Sequence, residues 1–156
     1  MLIRNIKEFI NVIDDKKILS VDFGKKKVGL AISNTKHTIT SPLKNIMRNK
    51  LFHENIQKII LDYNVGAILV GLPLNRDKSL NKISQFIVDI SKNMDLYLIE
   101  NKIMLPIYFW DENFSSFEAK TLVSDFYKGN KIDKFAAKVF LDDFIRENTL
   151  LDEKEN

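Results

Sequence analysis

The sequence predicts one α/β domain, a mixed five-stranded sheet with helices on both faces. Three observations predict it. Two apolar runs, 18–23 and 28–33, flank a short turn bounded by Gly24 and Gly29, the pattern of a hairpin. Two later runs, 67–71 and 107–112, are apolar along nearly their whole length, as strands covered on both faces are. Between and after them, apolar residues recur at helical spacing. The resulting order is an antiparallel three-strand meander, then helix and parallel strand in alternation, which suits a sheet between two helical layers.

Taken in order, Leu2, Ile6, Phe9, Ile10 and Ile13 predict an amphipathic helix over 2–14, ahead of the first strand. The hairpin follows, and 37–41 adds a third strand. A helix is expected over about 51–63, then the strand 67–71, which must end before Pro73 because proline cannot continue a central strand. Ile83, Phe86, Ile87, Ile90 and Met94 mark a helix that Ser79 is positioned to cap. After strand 107–112, Ser115 and Glu118 have capping-box spacing and start a helix to about Tyr127. A basic turn at 128–131 leads to a last helix over about 133–146, with Phe135, Val139, Phe140 and Phe144 inward.

A chain of 156 residues suits one domain. Its expected organisation is a helical extension at 1–16, the α/β domain at 17–146 and an acidic tail at 147–156. The tail carries a charge of −3 against a net +3, so the body is about +6. A basic body is compatible with a phosphate-rich partner. The absence of cysteine excludes disulfides, thiolate metal sites and a cysteine nucleophile. No apolar run approaches a bilayer span, and Glu8, Asp14 and Asp15 interrupt the N-terminal apolar residues against a secretory signal. The expected location is therefore the cytoplasm, with no membrane partner. His37 and His53 lack metal-ligand spacing.

Carboxylates carry the candidate chemistry. Asp22 ends the first strand, Asp111 and Glu112 end the last, and Asp133 begins the last helix. The ends of parallel strands are where α/β sites form. Acids gathered without cysteine or histidine select hard cations, one or two Mg²⁺ or Mn²⁺ ions, and such ions drive phosphodiester hydrolysis. Asp22 lies inside an apolar run, where an unpaired carboxylate costs several kcal/mol, so a structural role alone explains it poorly. Asp111 and Glu112 point to opposite faces, so at most one points directly at Asp22. Asp133 also reads as a helix N-cap. Lys25, Lys26 and Lys27 read either as a phosphate-approaching hairpin tip or as solvated charge. Ser115 and Ser116 can bond phosphate at a helix start, although capping also accounts for Ser115.

These motifs resemble the YqgF proteins, also described as Holliday junction resolvases related to RuvC. Asp22-Phe23-Gly24, Lys26 and the run 28–33 are similar to the family's opening. Val70-Gly71-Leu72-Pro73-Leu74-Asn75 resembles the second motif, and Asp111-Glu112 with Phe114-Ser115-Ser116 and Glu118-Ala119 the third. Asp133 with Ala136-Ala137 resembles the fourth. The resemblance implies a ribonuclease H-like fold and a bacterial cytoplasmic nuclease acting on precursor 16S rRNA, with branched DNA as the alternative substrate. It implies Asp22, the Asp111-Glu112 pair and Asp133 as catalytic metal ligands, and Asn75 among the nucleic-acid contacts. Many such enzymes carry a carboxylate where this chain has Gly71, so the second acid must reach across from the next strand, for which Glu112 is the longer. Lys25 stands where the family usually has threonine, Asn34 where aspartate is frequent, Asn113 where arginine is usual and Ser116 where threonine is frequent.

Three functions compete. The leading reading is a metal-dependent nuclease, monomeric or homodimeric. A non-cleaving nucleic-acid module of the same fold would be expected to lose acids, and this chain retains them. An ATP-binding domain of the actin and sugar-kinase type also opens on an Asp-x-Gly turn, but needs two such domains around the nucleotide.

Overall fold

The computed structural model describes residues 1–112 and 132–155, with side chains described for 1–112 and 135–148. The elements in chain order are β1 (Leu2–Ile3), α1 (Ile6–Val12), β2 (Lys17–Phe23), β3 (Lys27–Ser33), β4 (Thr40–Met47), α2 (Phe52–Asp62), β5 (Val65–Leu72), α3 (Lys82–Glu100), β6 (Ile107–Asp111) and α4 (Ile132–Glu155). The expected helix from Ser115 and the turn at 128–131 lie outside the described residues, as do Ser115 and Ser116 themselves.

The sheet has six strands in the order β1-β6-β5-β2-β3-β4, one more than expected. The meander β2-β3-β4 is antiparallel, and β5, β6 and β1 run parallel to β2. The extra strand comes from the segment expected to be wholly helical. Asn5 caps α1 by accepting from the backbone amides of Lys7 and Glu8, so the helix cannot begin earlier. Leu2 and Ile3 are left extended and pair with Ile107 and Tyr108. The helical spacing survives beyond the cap, because Phe9 and Ile13 are fully buried.

Other boundaries move for local reasons. Asn34 holds the turn before β4, its side chain accepting from Thr38 and Ile39 amides, and His37 sits there at φ 56°. The third strand therefore starts at Thr40 instead of 37 and runs on past Pro42, which a sheet-edge strand tolerates. The cap of α3 is Asn81, in a reciprocal capping box with Ser84, while Ser79 bonds Asp77. Helix α4 continues through the acidic segment to Glu155, since no glycine or proline follows Arg146 to stop it.

Strand alternation sorts the core into two layers. Leu19, Val21, Phe23, Ile68, Val70 and Leu72 face α2 and α3. Ile18, Ala67, Leu69 and Trp110 face α1 and α4, where Phe9, Phe140 and Phe144 fill the space. Phe144 meets Trp110 edge-on at 5.4 Å, and Phe9 stacks on Tyr108 at 5.2 Å. Such pairs add about 0.5–1.5 kcal/mol each beyond burial. Ser20, buried in β2, donates to the carbonyl of Ala137 at 2.9 Å and fixes α4 across the sheet.

Candidate active site

Because Val21 and Phe23 point to the α2/α3 layer, Asp22 between them points to the α4 side. It pairs with Gly29 on β3, and the β2–β5 ladder, one step beyond Val21 and Val70, sets it level with Gly71. Gly71 in turn pairs with Trp110 on β6. A methyl group at Gly71 would meet the Phe140 ring at 2.6 and 2.9 Å and Oε2 of Glu112 at 3.0 Å. The carboxylate of Glu112 therefore lies over Gly71, in the space that a side chain at this position would occupy. Asp22 and Glu112 flank the same glycine on the same face of the sheet.

Asp111 takes the other face. It follows Ile107 and Phe109 toward the α2/α3 layer, and its Oδ2 receives Lys78 Nζ at 2.7 Å. Lys78 comes from the loop after β5, at φ 69°, a conformation uncommon for a side chain of its size. Asp111 is buried while Lys78 is largely exposed, so the lysine engages this acid on the α2/α3 side. The adjacent acids are thus divided by strand alternation, Glu112 beside Asp22 and Asp111 against a lysine.

Asp133 is the second residue of α4. The helix crosses the Asp22 face, with Ala137 over Ser20, and Asp133 lies about one turn earlier, toward the carboxyl ends of β2 and β5. Its side chain is outside the described set. Two carboxylates on one face, with a third acid at the start of the helix that crosses it, are hard oxygen donors that fit a Mg²⁺-type or Mn²⁺-type ion. Among the residues with described side chains, no group of three acids or histidines gathers. His37 bonds the Lys16 carbonyl at 2.7 Å, at the opposite end of β2 from Asp22, and His53 packs on Tyr97 of α3.

The basic hairpin is tight, with Gly24 donating to the Lys27 carbonyl at 2.8 Å. Lys25 and Lys26 are exposed at its tip, whereas Lys27 is half-buried in β3. Asn75 spends its side chain inside the β5–α3 loop, donating to Ser79 Oγ at 3.0 Å and accepting from Asn81 at 3.2 Å. Sequence reasoning missed Arg48, whose Nη1 donates to the Gly24 carbonyl at 2.7 Å and braces the hairpin. It also missed Asn45, which faces Gly29 in the row that holds Asp22 and buries Oδ1 without a hydrogen-bond partner among the described residues. Neither has a sequence signal, because both positions are set by the pairing of β4 with β3 and not by local spacing.

The family described as "RuvX: Holliday junction resolvase" matches residues 16–147. A relative from Orientia tsutsugamushi, named "Putative pre-16S rRNA nuclease", is 40% identical over 125 residues, covering 79% of this chain and 76% of its own. A Pelagibacter ubique relative of the same name is 35% identical, covering 69% and 70%. Among solved structures, Thermus thermophilus RuvC in complex with a Holliday junction aligns with a TM-score of 0.53 at 11% identity, covering 85% of this chain and 95% of that one. The fowlpox virus Holliday junction resolvase aligns at 0.50 and 15% identity, covering 84% and 99%. These likenesses identify the fold as ribonuclease H-like.

Proposed function

The chain belongs to the RuvX family of Holliday junction resolvases, and on that premise we propose that it is a metal-dependent nuclease acting on precursor 16S rRNA in the cytoplasm. The observation that carries the reading is the pair Asp22 and Glu112 on either side of Gly71, facing the start of α4. Asp22, Glu112 and Asp133 would hold one or two Mg²⁺ or Mn²⁺ ions, which activate water and stabilise the leaving oxygen of a phosphodiester. The rest of the chain supports that chemistry. Gly71 leaves room for the Glu112 carboxylate, and Ser20 ties α4 to the strand that bears Asp22. Lys25 and Lys26, three and four residues beyond Asp22, supply positive charge where a flanking phosphate would pass. Precursor rRNA is preferred because the curated relatives carry that name.

The family description favours a second substrate, branched DNA. The deciding assay compares a precursor 16S rRNA fragment with a four-way DNA junction, each with Mg²⁺, with Mn²⁺ and with chelator, using wild type and Asp22→Asn. Cleavage of the RNA that requires metal and fails in the variant is expected. Preferential cutting of the junction would transfer the reading to resolution. Metal-independent cutting, or an unimpaired Asp22→Asn, would overturn the site.

A further inference from the structure

On the opposite side of the β2–β3 hairpin from Asp22, the α2/α3 side, lies a recess of about 280 Å³ whose rim is formed by Gly24, Lys25, Arg48, Lys82, Ile83 and Phe86. Three of these are cations, and no acidic residue lines it among the described residues. Its apolar part is open to solvent, with Phe86 47% and Ile83 64% exposed. Arg48 is held over one side of the Phe86 ring, Cζ 4.8 Å from the centroid, by its bond to the Gly24 carbonyl. Aromatic rings and arginine planes flanked by lysines are what unpaired bases and their phosphates stack on and pair with.

We infer that this recess is a stacking site for an unpaired nucleotide that flanks the cleaved phosphate, on the same strand of nucleic acid. The inference rests on the nuclease reading above and extends it. Asp22 and Gly24 are two residues apart, about 7 Å of chain at most, so a strand lying on Asp22 needs only to bend over the hairpin to reach Phe86. Lys25 and Lys82 face the phosphate of that nucleotide, and Arg48 fixes the ring against which its base lies. The site takes a nucleotide of either sugar, because stacking reads the base and not the 2′-hydroxyl.

The test measures binding by fluorescence anisotropy with a short labelled single strand, once as RNA and once as DNA of the same sequence, in chelator so that nothing is cut. Phe86→Ala should weaken both by about tenfold without changing the salt slope, and Phe86→Leu should do nearly the same. Phe86→Trp should restore binding to about the wild-type value. Lys82→Ala should reduce the slope against salt by about 0.7, the value for one phosphate on a single strand. Matched unfolding midpoints confirm that the exposed substitutions leave the fold intact. Equal affinity of wild type and both apolar variants, or a Trp variant as weak as the Ala one, would overturn the stacking site and leave the nuclease reading standing. Absence of binding by wild type to either strand would overturn both.

Discussion

At the carboxyl end of the sheet, the two faces treat neighbouring acids in opposite ways. On the α4 side, Asp22 and Glu112 meet around a glycine, and the helix crossing above begins with Asp133. On the α3 side, Asp111 is buried against Lys78, and the nearby surface is cationic and aromatic. The difference arises from one residue of strand register, since β6 sends Asp111 one way and Glu112, just past its end, lies on the other side. An acid at a strand end is therefore a candidate ligand only when its face is known, and the face follows from which layer its alternating neighbours fill.

The largest expected effect tests that division directly. Glu112→Gln should reduce metal-dependent cleavage by about a hundredfold or more, as loss of a charge from a metal shell does. Asp111→Asn should stay within about threefold of wild type and cost about 1 kcal/mol of stability, because asparagine still accepts from Lys78. Steady-state cleavage rates on both variants, with thermal unfolding alongside, make the comparison. Equal losses would mean that the two faces act as one site.

A smaller effect is expected at the glycine between the acids. Gly71→Ala places a methyl 2.6 Å from the Phe140 ring, which is buried and would have to shift. Overpacking of this kind costs about 1–3 kcal/mol, and the same methyl displaces the Glu112 carboxylate. Urea unfolding should show the destabilisation, and titration with Mn²⁺ should show weaker apparent metal affinity. Unchanged values in both would remove Gly71 from the account.

The smallest effect separates this site from another acid on α4. Asp143 is buried, pairs with Arg146 and leaves Oδ2 without a hydrogen-bond partner among the described residues, and desolvation raises its carboxyl above the usual range while Arg146 partly opposes it. A raised folded pKa means that the native state holds the proton more tightly than the unfolded chain does. The cost of ionising Asp143 therefore appears as pH rises from the ordinary carboxylate value through the raised one. Asp143→Asn should leave stability unchanged below that window and increase it by less than about 1 kcal/mol above it, with activity unaffected. Unfolding curves at acid and neutral pH provide the check, and a loss of cleavage would tie Asp143 to the site.

Much of this was legible in the residues. Apolar runs located β2, β3, β5 and β6, and the helical periods located α2 and α3, because burial of one face or two leaves its mark in local spacing. The first strand was not legible, since two extended residues make no period and pair only with a strand about a hundred positions later. The Asn81 cap was obscured by Ser79, an equally good capping residue that the loop turns toward Asp77 instead. Arg48 and Phe86 were invisible as a pair, being joined only by the packing of α3 beside the hairpin.

The sequence by itself determined the α/β class, the kinds of side chain available for chemistry and the metal type they suit, because cysteine is absent and acids fall at strand ends. The family resemblance added that Gly71 stands where many such enzymes carry an acid. Side-chain length favoured Glu112 over Asp111 for that position, and the tertiary structure puts the Glu112 carboxylate there. Strand alternation separates Asp111 from Glu112 in principle, but only the packing of β6 between β1 and β5, with Phe140 pressed on Gly71, sets which face each one meets. The physical reason is that spacing along a chain fixes relative direction, while absolute direction depends on which side each layer of helices comes to cover.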